Sequence, residues 1–269
     1  MTSTQNVATA EQKSRFYSFS LGWLGLLALI LLWQLAAILI NKTIFPSFTT
    51  SIVAALHLIT GPIFETDILP SIERTLEGFL ISAVIGIAVG MLVGHYKSAR
   101  SWTTSVFDFL RSLPTPLLVP VAVVIFGLNG HMVVATIVSG AIWPILINTA
   151  NGTSTIEPTM IDTAKTYGLK GRSLFLRVVL PAASPQIFAG LRIALSVSLV
   201  IMVVAEMLGG GSGIGYFIAN AQQSFNINGS YGGVIILAAL GWIFDTTFLM
   251  LERRILSWQR GTVGGSANA

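Results

Sequence analysis

Long stretches of apolar residues, separated by short polar segments, run through the whole chain of 269 residues. A helix needs roughly 20 mostly apolar residues to cross the hydrocarbon core of a bilayer. Six stretches reach about that length, at residues 18–40, 76–94, 102–128, 131–151, 184–208 and 231–251. The pattern therefore predicts an all-α protein, a polytopic bundle of about six transmembrane helices, with no room for a separate soluble domain.

The amino-acid composition supports the same interpretation. Hydrophobic residues make up 53% of the chain and charged residues 10%, whereas a soluble domain carries about 25% charged residues. The chain has no cysteine, which excludes a disulfide scaffold, thiolate catalysis and cysteine-ligated metals. The first apolar stretch is longer than the core of a secretory signal, so we interpret it as a helix that follows a cytoplasmic tail at residues 1–17.

Lysine and arginine are distributed unevenly among the polar segments. If the N-terminus is cytoplasmic, the outside keeps Lys42 and Arg74. The inside then receives Lys13, Arg15, Lys97, Arg100, Arg111, Lys165, Lys170, Arg172, Arg177, Arg192, Arg253, Arg254 and Arg260. Because cytoplasmic loops are enriched in these residues, both termini are predicted inside, with a membrane domain over 18–254 and a cytoplasmic tail over 255–269. The same bias explains the net charge of +4, so nucleic-acid binding is not indicated.

Two polar insertions interrupt the apolar pattern. Residues 41–74, on the predicted outside, are semi-apolar and are expected to form a short helix lying along the membrane. Residues 152–183, on the predicted inside, are basic and amphipathic. In this second insertion Pro158 suits the first turn of a helix, and Gly168 suits a left-handed turn that ends it. The apolar residues that recur at helical spacing between them are Met160, Ile161, Ala164 and Tyr167.

A second short helix is expected after Gly168. Its apolar residues are Leu174, Phe175 and Val178, and Pro181 and Pro185 are expected to break the chain before the fifth span. Two short amphipathic helices at a sharp angle would form a rigid knob outside the bilayer. The periodicity alone leaves two roles open, insertion into a groove on a partner protein or rest on the lipid headgroups.

The spacing of residues in this insertion matches a known motif. Asp162-Thr163-Ala164 is followed by three residues, Gly168, nine residues, and then Val178-Val179-Leu180-Pro181. This resembles the EAA loop of ABC importer permeases, which reads Glu-Ala-Ala, three residues, Gly, nine residues and Ile-x-Leu-Pro. Ala164, Gly168, Leu180 and Pro181 match it outright, Asp162 and Val178 are conservative replacements, and Thr163 departs from it.

Further segments resemble the nitrate, taurine and aliphatic sulfonate subfamily of type I permeases. They are Leu110-Arg111-Ser112-Leu113-Pro114 with Pro116, Pro120 and Phe126-Gly127, then Gly190-Leu191-Arg192, and Ala205-Glu206-Met207-Leu208. The resemblance implies a bacterial inner-membrane permease subunit that is not itself an enzyme and binds no cofactor. It also implies three partners: a second permease copy, a homodimeric ABC ATPase that binds ATP-Mg, and an extracytoplasmic substrate-binding protein. The solute would be a taurine-like or aliphatic sulfonate, nitrate, or another small anion or polar organic molecule.

By the same resemblance, the insertion at 152–183 carries the helix that enters the ATPase cleft. The residues predicted to couple the permease to the ATPase are Asp162, Thr163, Ala164, Tyr167, Gly168, Arg172, Leu180 and Pro181. A loop stiffened by Gly168 and Pro181 would transmit a rigid-body movement, whereas a flexible loop would absorb it.

Polar and helix-breaking residues within the spans are candidates for the translocation path. They are Ser112, Pro114, Thr115, Pro116, Asn129, Ser139, Glu206 and Asp245. The prolines are expected to kink or unwind the third span. Glu206 is expected to gate the outer mouth or to order the following glycines through backbone N–H bonds, unless it is simply exposed at the interface. Asp245 lies deep in its span and needs a partner, for which a hydrogen bond to another helix is favoured over cargo contact.

Other interpretations are weaker. Arg74 and Glu77 have the spacing of a helical ion pair. The glycine-rich residues 209–215 lack the phosphate-loop pattern, and the histidines at 57, 95 and 131 do not have metal-ligand spacing, so no metal is predicted. An intramembrane serine protease would use Ser212 with His131, two residues in different segments. An ion-coupled secondary transporter remains the alternative function, although it would need matching halves that the sequence lacks.

Overall fold

The computed structural model describes residues 24–40 and 44–257, and these residues form helices and short connections without a strand. The predicted terminal tail at 1–17, the start of the first span, Lys42 and residues 258–269 lie outside the described residues. The helices are α1 (Leu24–Ile40), α2 (Phe48–Thr60), α3 (Leu69–His95), α4 (Lys97–Arg111), α5 (Val119–Phe126), α6 (Gly130–Ser154), α7 (Pro158–Thr166), α8 (Gly171–Leu174), α9 (Leu180–Gly209), α10 (Ile214–Gln223) and α11 (Ile227–Ile255). The predicted all-α helix bundle is confirmed.

Among the described residues, four helices are long and apolar enough to cross a membrane, namely Phe64–His95, Gly130–Ser154, Gly171–Gly209 and Ile227–Ile255. A fifth crossing is formed by a broken pair, Ser105–Arg111 with Thr115–Phe126, bent by 81°. The predicted spans over 131–151 and 231–251 are thus confirmed with slightly longer ends. The described part of the first span is an apolar helix of 17 residues.

The second span begins about a dozen residues earlier than predicted. A π-helical turn at Phe64–Ile68 leads directly into α3, and Pro70 occupies the first turn of α3, where its missing N–H costs nothing. The sequence prediction assigned these residues to the outer insertion at 41–74. The predicted outer helix does form as α2, capped by Ser47, and it packs against α11 at Gly232, where an added Cβ would lie 2.9 Å from the Ala55 nitrogen.

The fifth span also begins earlier than predicted, because the chain does not break at its prolines. A π-helical turn at Phe175–Val179 joins α8 to α9, and the Leu180 N–H donates to the Phe175 carbonyl. Pro181 follows immediately, so its missing donor falls in the turn where the hydrogen-bond register changes. The helix therefore runs without interruption from Gly171 to Gly209, and the predicted break at Pro181 and Pro185 is wrong.

The third span is broken where the prolines predict. Helix α4 ends at Arg111, and a 3-10 turn at Thr115–Leu118 precedes α5. Pro114 holds an extended conformation between them. The predicted single span over 102–128 is therefore two helices at a steep angle.

Helices α3, α6 and α9 form the centre of the bundle. A stripe of glycines on α3, at Gly86, Gly90 and Gly94, lets the backbone of α6 approach closely. A Cβ at each of these positions would lie 2.6–3.0 Å from atoms of α6. On the other side of α6, Gly190 of α9 makes an equally close approach, 2.8 Å from the Pro144 carbonyl oxygen. The bundle has two ends, which we name the α7 end and the glycine-loop end (residues 209–213).

Candidate functional site

Helix α7 is a short helix, capped at its C-terminal end, that stands out from the bundle. Pro158 occupies its first turn. At its other end Gly168 has φ +82°, its N–H donates to the Lys165 carbonyl at 2.9 Å, and the Leu169 N–H donates to the Ala164 carbonyl at 3.1 Å. These two bonds form a complete Schellman motif, which satisfies the last carbonyls of the helix. The predicted left-handed stop at Gly168 is confirmed.

The four apolar residues predicted at helical spacing in α7 differ in exposure. Ala164 is buried and Ile161 half-buried, but Tyr167 is 83% exposed and Met160 is 49% exposed. Only a narrow strip of α7 reaches the neighbouring turns, and Tyr167 lies just beyond the end of the helix. Met160, Thr163 and Tyr167, at helical spacing i, i+3 and i+7, form an exposed stripe.

The remaining coupling candidates lie around this stripe. Asp162 accepts from Lys165 Nζ at 3.1 Å in an exposed ion pair, which contributes little to stability. Arg172 is exposed on α8, whereas Leu180 and Pro181 are half-buried at the start of α9. Because α8 continues into α9, α7 and α8 are attached to one helix that spans the bundle from the α7 end to the glycine-loop end.

A cluster of charged and polar side chains closes the glycine-loop end. Glu206 is fully buried, and its carboxylate accepts from Arg74 Nη1 at 2.9 Å and from Ser71 Oγ at 2.8 Å. Arg74 also donates to the carbonyl and hydroxyl oxygens of Ser212, at 2.8 and 2.7 Å. The alternative that Glu206 is exposed at the interface is therefore wrong. Arg74 pairs with Glu206 and not with Glu77, since Glu77 is exposed and Arg74 points into the bundle.

The same cluster orders the glycine loop. Three successive backbone N–H groups donate to side chains from other elements: Gly213 to Asp67 Oδ1, Ile214 to Ser71 Oγ and Gly215 to Glu206 Oε2, at 2.8–3.0 Å. Satisfying these buried donors fixes the start of α10 against α3 and α9. Glu206 thus accepts a backbone N–H of this segment, as predicted.

Asp67, Ser71 and Ser212 were missed as site residues. Asp67, Ser71 and Arg74 have the spacing i, i+4 and i+7 of one helical face, a signal that is visible only if the helix is extended toward residue 64. Ser212 binds Arg74, and no histidine contacts it among the described residues. This arrangement gives the serine no general base and does not support the protease interpretation.

The predicted path residues are not brought together in one place. Thr115 and Pro116 line a groove of about 300 Å³ with Ser196 and Val200 of α9. Gly140 of α6 leaves space for the 3-10 turn between α4 and α5, because an added Cβ at Gly140 would lie 2.8 Å from Thr115 Oγ1. Pro114 is exposed beside the groove.

Three other path candidates make local bonds only. Ser112 donates to the Phe109 carbonyl and Ser139 to the Thr136 carbonyl. Asn129 caps α6, accepting from the backbone N–H groups of His131 and Met132, a role that Asn favours.

Asp245 has its partner on another helix, in agreement with the favoured prediction. Arg192 Nε and Nη2 donate to the two carboxylate oxygens of Asp245, at 3.1 and 3.4 Å. The sequence prediction placed Arg192 in a cytoplasmic segment at the start of the fifth span. The structure places it well inside α9, because that helix begins earlier than predicted.

Comparison with known proteins decides the family. Residues 82–257 match the family described as binding-protein-dependent transport system inner membrane component. The chain belongs to this family. It is therefore the membrane permease subunit of an ABC importer, as the resemblance implied, and the secondary-transporter and protease alternatives are set aside.

Individual relatives agree with this assignment. SsuC of Bacillus subtilis, named as an aliphatic sulfonates transport permease, is 31% identical over 249 residues, covering 90% of each chain. CmpB of Synechococcus elongatus, named as a bicarbonate transport system permease, is 38% identical over 187 residues, covering 69% of this chain and 67% of CmpB. A chain of the MetNI methionine ABC transporter, solved in inward facing conformations, has the same fold with a TM-score of 0.64 at 16% identity, covering 73% of this permease and 97% of that chain.

Proposed function

We propose that this permease imports a small oxyanion and receives the energy for transport through α7. The observation that carries the proposal is the exposed stripe of Met160, Thr163 and Tyr167 on a capped helix that is linked, through α8, to a 39-residue helix across the bundle. An exposed stripe of this kind, with Met160 and Tyr167 on either side of Thr163, fits a groove on a partner protein. The α7 end then faces the cytoplasm, and so do both termini, in the bacterial inner membrane.

The partners follow from this arrangement and from the family. ATP-Mg is bound and hydrolysed by a separate, homodimeric ABC ATPase that docks at the α7 end. A second copy of this chain completes the translocation path. A substrate-binding protein delivers the solute at the glycine-loop end. The relatives named for aliphatic sulfonates and for bicarbonate support an anion with several oxygen acceptors. Nitrate is also an example, and the zwitterion taurine carries the same sulfonate group.

The continuous helix supplies the mechanical link. A helix of 39 residues is about 58 Å long at 1.5 Å per residue. Helix α7, with the docking stripe, is connected to one end of it at Gly171, and Glu206 of the buried cluster lies near the other end. Closure of the ATPase subunits pushes α7 as a rigid body, and the helix passes that displacement to the glycine-loop end, where the solute enters.

Cross-linking at Tyr167 tests the docking. The chain has no native cysteine, so a Tyr167→Cys variant offers a single thiol. We expect a photoactivatable cross-linker on this thiol to capture a subunit that is itself labelled by an azido derivative of ATP. Ala164→Cys, on the buried face of the same helix, is the matched control and is expected to capture much less. Capture of lipid alone from Tyr167→Cys would contradict the proposal.

The cap at Gly168 yields a second prediction. A Cβ at Gly168 meets no atom within 4 Å, so a substitution there acts through the backbone alone. Valine is strongly disfavoured at positive φ, and the strain of about 1–2 kcal/mol opposes the capped form of α7. We expect Gly168→Val to reduce solute uptake per ATP hydrolysed about tenfold, measured in proteoliposomes with the partner subunits.

Asparagine provides the control for this prediction, since it tolerates the left-handed conformation. Gly168→Asn is expected to keep uptake per ATP within about twofold of the original. Equal coupling in the valine and asparagine variants would show that the cap does not transmit the movement.

A further inference from the structure

Counting residues along α9 and α11 places the ion pair between Arg192 and Asp245 within the depth of a bilayer. Arg192 is 14 residues from Glu206 along α9, or about 21 Å at the helical rise. Asp245 is nine residues from Arg254 at the far end of α11, or about 14 Å. A bilayer has a hydrocarbon core about 30 Å thick, so the pair lies in its inner half, well away from both charged ends of the bundle.

The pair is also far from buried. The side chain of Arg192 is 47% exposed and that of Asp245 is 43% exposed. Charged groups at this depth do not face lipid at acceptable cost, and they occur almost always toward a bundle interior or a water-filled cavity. The exposed side of the pair therefore marks the face of this chain that is turned away from lipid.

That face continues into the groove at the broken helix. Ser196 follows Arg192 by one helical turn and Val200 by two, so all three lie on one side of α9. Ser196 and Val200 line the groove together with Thr115 and Pro116. The charged pair and the groove thus form one continuous strip along α9, beside the 3-10 turn at Thr115–Leu118.

Hydrogen bonding leaves Arg192 ready for a further acceptor. A guanidinium group carries five N–H donors, and Asp245 takes two of them, one from Nε and one from Nη2. In residues 24–40 and 44–257 no other acceptor contacts the Arg192 side chain, so three donors are open. A guanidinium group typically binds an oxyanion through two parallel N–H···O hydrogen bonds.

We propose that Arg192, oriented by Asp245, is a transient binding position for the transported oxyanion inside the membrane. The inference rests on the proposed function and specifies the residue that meets the solute. Asp245 performs two tasks: it holds the guanidinium plane so that the free edge faces the strip, and its negative charge keeps the anion weakly bound. Weak binding is required, because a solute must leave each site as readily as it enters.

Thiol chemistry at Ser196 tests the position without requiring transport. In the cysteine-free chain, Ser196→Cys places one thiol a helical turn from Arg192. Membrane vesicles containing the full chain are treated with 2-sulfonatoethyl methanethiosulfonate, itself an alkyl sulfonate, or with the trimethylammonium reagent of similar size. We expect the anionic reagent to react faster, and ethanesulfonate to slow that reaction. Ser198→Cys, two residues away and fully buried, is the control and is expected to react with neither reagent.

Charge substitutions in the Ser196→Cys background show whether the Arg192 guanidinium causes the faster reaction of the anionic reagent. Removing the cation with Arg192→Gln is expected to lower the ratio of anionic to cationic reaction rates about tenfold, and Asp245→Asn is expected to raise it. A single variant leaves one charge unpaired and can misfold for that reason. The double variant R192Q/D245N replaces the ion pair with a neutral hydrogen bond, so it tests the loss of charge without an unpaired charge. In that double variant, protection by ethanesulfonate is expected to disappear while the thiol stays reactive.

Two results would overturn the proposal. One is a thiol at Ser196 that no charged reagent reaches, since the strip would then face lipid or a packed interface. The other is a rate ratio that Arg192→Gln leaves unchanged. Neither result bears on docking at Tyr167, so the failure of this inference can be told apart from failure of the proposed function.

Discussion

Replacing Glu206 with alanine is expected to lower the free energy of unfolding by about 3–5 kcal/mol, because it leaves the Arg74 guanidinium unpaired in the interior. Arg74 is only 13% exposed and has Glu206 as its one carboxylate partner among the described residues. The Gly215 N–H loses its acceptor at the same time. Titration with a denaturing detergent measures the loss, and amide hydrogen exchange of Gly213, Ile214 and Gly215 reports whether the loop opens.

The exposed ion pair at the other end of the molecule provides the control. Asp162→Ala removes a carboxylate whose partner, Lys165, is in water, and it is expected to change stability by less than about 1 kcal/mol. A similar loss in both variants would mean that the buried cluster does not hold the glycine-loop end together. Unchanged exchange of the three loop amides in Glu206→Ala would lead to the same conclusion.

The second large effect is expected from Gly213→Ala. Gly213 has φ +116° and ψ 162°, a region that is essentially restricted to glycine, and an added Cβ would overlap the Glu206 carboxylate. Strain of about 1–3 kcal/mol and overpacking of about 1–3 kcal/mol act together here. We expect a loss of about 2–6 kcal/mol in the free energy of unfolding, measured by the same detergent titration.

Gly211→Ala separates the two causes. It lies in the same loop at φ +65°, but its nearest neighbour is the Leu128 carbonyl oxygen, 3.7 Å from an added Cβ. Gly211→Ala therefore introduces the strain of alanine at positive φ without overlap with another side chain. It is expected to lower the free energy of unfolding by no more than about 2 kcal/mol. If both alanine variants lose the same free energy of unfolding, overlap with the Glu206 carboxylate does not contribute to the cost at Gly213.

The sequence predicted those features of the fold that depend on local pattern. The apolar runs located the spans over 131–151 and 231–251, and the prolines located the break in the third span. Pro158 and Gly168 marked both ends of α7, because a first-turn proline and a left-handed glycine are signals within a few residues of chain. The fold class and the family followed from these patterns and from the spacing of the motif.

The errors arose where long-range packing overrides local polarity. Residues 64–74 were assigned to the outer insertion and not to the second span, yet Asp67, Ser71 and Arg74 are held in the helix of that span by partners more than 130 residues away. Pro181 was expected to end a helix, but a π-helical turn absorbs its missing donor. No pattern within one segment indicates which distant group will satisfy a polar side chain.

The glycines that bring α3 and α6 together also restrict how this permease can move. Side chains and carbonyls of α6 occupy the notches left at Gly86, Gly90 and Gly94, so sliding or rolling of one helix along the other would drive backbone atoms into overlap. With α9 held equally close at Gly190, the three helices behave as a single solid block. We therefore expect the proline-interrupted segment, which is bent by 81° between Arg111 and Thr115, to move relative to these three helices during alternating access.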